Sequence, residues 1–176
     1  MIAIERRPAE AAGTPGRRET PGGRPSAARR KGVLALATIT GLTRTSTGLT
    51  DQPEVRVSLR VEGPGLAFDT AARLVPTGAR RANVDTGQLV VLVDPATRDY
   101  QIDWDRSALV NGLLPATFAL ADTGETVDLR GRTGPLLEIL QLLWAHNVSL
   151  SRLADPRTDP ALREQVLAVV RRATGG

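Results

Sequence analysis

Two copies of Asp-Thr-Gly come nearest to catalysis in this chain: Asp85-Thr86-Gly87 in "ANVDTGQLVVLVDP" and Asp122-Thr123-Gly124 in "FALADTGETVDLRG". Pepsin-like and retroviral-type proteases present their carboxylates in that triplet. Two such aspartates face each other and share one proton, so that one serves as base and the other as acid. Here the copies stand 37 residues apart, too close for the separate halves of a two-lobed enzyme, and the sequence around them does not repeat. A homodimeric enzyme would need only one copy. The position after the motif calls for a small or hydroxyl residue, yet Gln88 and Glu125 stand there. A turn asks for less. Asp favours its first position through a side-chain bond to the backbone, and Gly accepts the left-handed conformation two residues on. Both triplets are read as turns, and an aspartic-protease-like enzyme is the least favoured function.

Other chemistry is narrowed by composition. The absence of cysteine rules out disulfides, thiolate metal sites and a Cys nucleophile, and the single His146 rules out a multi-His metal site. Asp94, Asp99, Asp103 and Asp105 do not follow the spacing of an EF-hand loop, and alternate strand positions send them to a solvated face. "TRTSTGLT" lacks the lysine-ended phosphate loop and reads as a hairpin loop, and no Gly-x-Ser-x-Gly elbow occurs. His146, Ser149, Ser151 and Asp155 fall in one short segment that shows neither a strained nucleophile nor oxyanion donors. The expectation is a protein without catalytic residues, metal or cofactor.

The elements that would position any site are mostly strands at first. In "PEVRVSLRVEG", Val55, Val57, Leu59 and Val61 alternate with Glu54, Arg56, Ser58, Arg60 and Glu62, as in a half-buried antiparallel strand. Gly63-Pro64-Gly65 makes the turn. The return strand is "LAFDTAARLVP", with Phe68, Ala72 and Leu74 on one face and Asp69 and Arg73 on the other. "VLALATIT" precedes this hairpin. "QLVVLV" follows it, apolar on both faces as suits a central or tightly curved strand. Asp94-Pro95 marks the turn into "DYQIDWD", with Tyr100, Ile102 and Trp104 facing inward. Five short strands without an intervening helix predict a small antiparallel barrel or rolled sheet.

The segments "GVLALATITGLTRTSTG", "PEVRVSLRVEG" and "GQLVVLVDPATRDYQIDW" resemble the small β-barrel domains of uncharacterised proteins from high-GC bacteria. In those domains a strand ending in a Gly-x-x-Val-x-Val-x-x-Asp-Pro-like turn closes the barrel. The resemblance covers residues 33–105. It implies a fold and an interaction role, and no catalytic residue. Its members are commonly tethered to membrane helices, whereas this sequence has no run of about 20 apolar residues.

Beyond the barrel, "TFALADTGETVDL" predicts a hairpin that sets Phe118 and Leu120 across from Val127 and Leu129. Pro135 then opens a helix that Asn147 ends. Its apolar residues surround most of its circumference, so it must pack on more than one neighbour. A second helix is capped by Asp159, with Pro160 at its first position and Leu162, Val166, Leu167, Val169 and Val170 as its apolar set. The favoured cover for the apolar excess of the first helix is the open side of the sheet or the 116–130 hairpin; the alternative is docking of a second copy or a protein partner, for which Leu140, Leu143 and Trp144 are the expected contact surface.

The charge is local. Residues 1–32 carry eight Lys/Arg against three Glu, a net +5, which leaves 15 basic and 16 acidic residues for 33–176. The pI near 10.8 therefore describes the tail, and does not argue for a nucleic-acid-binding fold. Pro and Gly recur through the tail without apolar periodicity, so it reads as disordered, a solvated leader before a basic arm. "ARRKGVLALATITGL" also fits the start of a secretory signal ending near residue 42, but its threonines, and no cleavage site after it, favour a strand. One lysine among 23 basic residues points to a GC-rich bacterial genome. With strand favoured over secretory signal and no membrane span in the sequence, a cytoplasmic protein is the expectation.

The expected fold class is α+β. Residues 1–32 form a disordered basic tail, 33–105 a five-stranded antiparallel barrel, and 106–176 a β-hairpin plus helical hairpin. The expected function is a non-enzymatic interaction or scaffold module, self-associating through the Leu/Trp-rich helix. The alternative is a small barrel that binds nucleic acid with its arginine-rich tail. Five aromatic residues, most predicted inward, leave that alternative few platforms for stacking bases.

Overall fold

The computed structural model describes residues 5–7, 32–45, 54–120, 123–152 and 157–175. The chain divides into two compact units, residues 1–104 and 105–176. The first is a curled half-barrel sheet of five antiparallel strands: β2 (Val33–Thr45), β3 (Glu54–Gly63), β4 (Leu66–Leu74), β5 (Gln88–Val93) and β6 (Tyr100–Asp103). A three-residue strand, β1 (Glu5–Arg7), pairs antiparallel with Arg73–Ala71 of β4, giving the order β1-β4-β3-β2-β5-β6. Residues 8–31, most of the stretch expected to be a disordered tail, lie outside the described ones.

The alternating sequence of β3 buries as its pattern requires. Val55, Val57, Leu59 and Val61 enter a core shared with Ala35 and Ala37 of β2, Phe68, Ala72 and Leu74 of β4, Leu89, Val91 and Val93 of β5, and Tyr100 and Ile102 of β6. Strand β5 is buried on both faces, since Val90 and Leu92 are inaccessible as well. The β3–β4 hairpin closes on Pro64-Gly65, where Gly65 takes φ 71°, a value that strains any side chain with a Cβ.

Two helices interrupt what the sequence pattern reads as strand and turn. Helix α1 (Ala79–Asp85) connects β4 to β5 and sends Val84 into the core. It is only seven residues long, has no side-chain cap and no acidic residue in its first turn, so its stability comes from that tertiary anchor. Helix α2 (Trp104–Val110) starts where the inward alternation of "DYQIDWD" predicts continuing strand. Trp104 nevertheless packs against the first unit's core. Asp105 supplies a first-turn acid, and at the other end Gly112 at φ 73° lets Leu113 N–H reach Ala108 O at 2.8 Å and Gly112 N–H reach Leu109 O at 3.1 Å.

In the second unit, β7 (Thr117–Ala119) and β8 (Thr126–Asp128) pair with Phe118 opposite Val127. Helices α3 (Thr133–Ala145) and α4 (Pro160–Thr174) follow, with a short 3-10 turn at Leu150–Arg152 between them. Asn147 ends α3 at φ 55°, bringing Val148 N–H to Leu143 O at 2.9 Å. The Asp159 carboxylate caps α4 by accepting from Ala161 N–H at 2.9 Å. Glu138 and Arg172 join the two helices by an ion pair of 2.9 Å.

The sheet's curl brings backbones close at Gly63, where an added Cβ would stand 2.8 Å from Ala35 Cβ and 3.3 Å from Ala35 Cα. Gly63→Ala should therefore lower the unfolding free energy by about 1–3 kcal/mol in a urea titration. The double change with Ala35→Gly should cost less than the sum of the single ones. Strict additivity would show that the two residues do not touch.

Candidate interaction surface

The first Asp-Thr-Gly is a helix end. Asp85 is the last residue of α1, Thr86 N–H donates to Ala82 O at 3.2 Å, and Gly87 turns left-handed at φ 84°. The chain does turn there into the strand beginning at Gln88, but off a helix that the sequence pattern does not announce. Asp85 is exposed, and Gly87 O accepts from Ile39 N–H at 2.8 Å, which ties the exit of α1 to β2. The second triplet closes the β7–β8 hairpin: Gly124 has φ 69°, its N–H donates to Leu120 O at 2.8 Å, and Leu120 N–H donates to Glu125 O at 2.8 Å. Asp122 lies outside the described residues.

The remaining chemical candidates are engaged in local structure. One carboxylate oxygen of Asp94 accepts from Ala96 N–H at 2.9 Å and Thr97 N–H at 3.4 Å, building the turn between β5 and β6. No group of three His, Asp or Glu side chains among the described residues is placed to hold a metal ion. The Nδ1–H of His146 donates to Leu142 O at 2.9 Å, one turn back on its own helix. The Ser149 and Ser151 hydroxyls bond each other at 3.1 Å, and Asp155 lies outside the described residues.

Of the three expected contact residues, Leu140 and Leu143 are 3% and 2% exposed, and they leave no accessible surface to a partner. Trp144 is half-buried, and the Arg106 guanidinium lies over its ring, 5.1 Å from the centroid. Two other aromatic rings carry the same cover: Arg80 over Trp104 at 5.4 Å and Arg98 over Phe68 at 5.8 Å.

The accessible feature that sequence reading missed is an open sheet edge. Strand β2 pairs with β3 along nearly its whole length, from Leu36 to Thr45, but with β5 only from Val33 to Thr38. After Ile39, no described strand lies on the side of β2 away from β3. A bulge between Ile39 and Gly41 shifts the register by one residue at Thr40. Because side chains alternate with period two, that shift exchanges the faces. Leu42 comes opposite Val57 and Arg44 opposite Val55, on the core side of the sheet, yet both are exposed, Leu42 by 43%. A signal was present in Gly41 within an otherwise β-branched run, a common mark of a bulge.

No family model, curated protein or solved structure matches this chain. No helix among the described residues is long and apolar enough to cross a membrane.

Burial makes a measurable distinction on α3. Leu140→Ala and Leu143→Ala should each cost about 2–5 kcal/mol of stability, as for core deletions. Arg106→Ala, which uncovers the half-buried Trp144 ring, should cost about 0.5–1 kcal/mol. Denaturant midpoints at constant slope read both, and a Leu140→Ala variant as stable as the parent would place that side chain outside the interior.

Proposed function

We propose that this protein is a non-catalytic interaction module that takes up an extended segment of a partner protein along the open edge of β2. The observation that carries this reading is the half-paired state of β2. Residues 41–45 keep a full ladder to β3 while alternate N–H and C=O groups point away from it, the arrangement that strand addition uses. Leu42, half exposed beside that edge, offers an apolar contact to the incoming strand.

The nucleic-acid alternative draws less support. Binding of single strands relies on accessible aromatic faces, and Trp104, Phe68 and Trp144 each lie under a guanidinium of their own chain. Self-association through α3 also draws less, given the burial of Leu140 and Leu143. The curled half-barrel supports kinship with the small β-barrel domains of high-GC bacterial proteins, and the arginine bias supports a bacterial origin as part of the same proposal.

The test is capture of partners by the tagged full chain from its native host, with Leu42→Asp as the blocked form. An edge aspartate removes the apolar contact and disfavours strand pairing without touching the backbone. At a half-exposed position it should change stability by no more than about 1 kcal/mol. Expected is a reproducible protein partner whose binding slows hydrogen exchange at 41–45 and is lost in Leu42→Asp. Undiminished capture by the variant would rule the edge out. Nucleic acid in the eluate that disappears on deleting 1–32 would install the alternative.

A further inference from the structure

The arginines of strands β2 to β6 fall into two classes. Arg60 lies 3.0 Å from Asp69 and 3.7 Å from Glu62, and Arg73 lies 3.8 Å from Glu54. Arg44 and Arg56 are exposed, and no described acidic residue pairs with either. These two are also the ones at the open edge. Arg44 is on the edge strand itself. Arg56 is opposite Thr43, one strand in, on the other face of the sheet. An added strand would lie about 5 Å beyond β2 and so about 10 Å from β3. An extended arginine crosses most of that distance, and the short Thr43 side chain leaves its path open.

We propose that the occupant of the β2 edge is an acidic extended peptide whose main chain pairs with residues 41–45. Its carboxylates meet Arg44 on one face and Arg56 on the other. This rests on the strand-addition reading above. Charge selects among the candidates for the edge. The chain's own residues 1–32 carry a net +5, which opposes docking beside two uncompensated guanidiniums. A second copy paired antiparallel about Thr43 would gather four such guanidiniums, two Arg44 and two Arg56, on one ribbon. An acidic strand neutralises them. The bulge and the inward-facing arginine are devices by which natural edge strands avoid indiscriminate pairing. With an acidic partner the same arginine becomes the source of selectivity, since it penalises every strand that lacks the complementary charge.

Three fluorescein-labelled eight-residue peptides test this against the full chain by anisotropy, with hydrogen exchange read at 41–45. Each is a strand of valine and threonine with two adjacent glutamates, threonines or lysines at its centre, so that one of the pair falls on each face. The glutamate peptide should bind at least about tenfold more tightly than the threonine peptide, the lysine peptide should bind least, and the 41–45 amides should become protected. Arg44→Gln and Arg56→Gln, both at exposed positions, should each reduce the glutamate preference, and Arg44→Glu with Arg56→Glu should pass it to the lysine peptide. Equal binding of all three with protection at 41–45 would overturn the acidic specificity and leave strand addition standing. No protection with any peptide, together with undiminished partner capture by Leu42→Asp, would overturn both. Binding of an oligothymidylate with the same arginine dependence, without protection of 41–45, would assign the arginines to a polyanion and overturn the inference. Concentration-dependent dimerisation that protects 41–45 would overturn it in favour of a second copy.

Discussion

Strand β2 is the constraint on which the half-barrel depends, because it alone pairs with strands of both halves of the sheet. Residues 33–38 are held by β5 and residues 36–45 by β3, so the two ladders overlap at 36–38 and residues 41–45 are held by β3 alone. On the stretch paired with β5, the inward residues Ala35 and Ala37 are fully buried and small enough for the sheet to curl over them until Gly63 meets Ala35. A larger side chain at either alanine would push the strands apart where the curl is tightest. At Thr40 the bulge releases the strand from that geometry. Ile39 still packs on the core, while the next residues on the same face, Leu42 and Arg44, reach solvent. One inserted residue thus separates a structural half from an exposed one.

The strands were legible wherever one face is buried and the other wet. Glu54–Gly63 announces itself because each core aliphatic is followed by a charged or hydroxyl residue, and Gln88–Val93 because a strand buried twice has no polar position to spare. Helix α1 was not legible. Arg80 and Arg81 sit in its first turn, against the dipole, and nothing caps it. Only Val84, placed in a core built by other strands, explains why residues 79–85 coil. At Trp104 the local signals conflicted: the alternation of Tyr100, Ile102 and Trp104 extends the strand, while Asp105 and Asn111-Gly112 bracket a helix. Inward packing satisfied Trp104 in either conformation, so the pattern could not decide between them.

Much the same ambiguity surrounds Leu140 and Leu143. A helix apolar around most of its circumference needs more than one neighbour, and sequence alone does not say whether those neighbours belong to the same chain. In the second unit Phe118, Leu120, Leu129, Leu162, Val166, Val169 and Val170 are all buried, a large apolar complement contributed by the hairpin and α4. The open edge was illegible for a different reason. Its existence depends on where β5 begins, at Gln88, and that start is set by the left-handed Gly87 at the end of a helix with no sequence signature.

Arginine abundance by itself argues for nothing here, because with one lysine among 23 basic residues arginine fills nearly every basic position regardless of task. What discriminates is where each guanidinium ends. Three lie over aromatic rings, which a planar, weakly hydrated cation does better than an ammonium group. Two on the sheet meet carboxylates at exposed positions, worth little individually but enough to fix rotamers. Against that background Arg44 and Arg56 differ from their neighbours in position as well as in pairing. They stand at the stretch of β2 that has a ladder to β3 alone, so among the described residues backbone valence and charge go uncompensated at the same place. A partner that supplied only one of the two would leave the other unsatisfied, and for that reason the chemistry of the edge specifies a strand and an acid together.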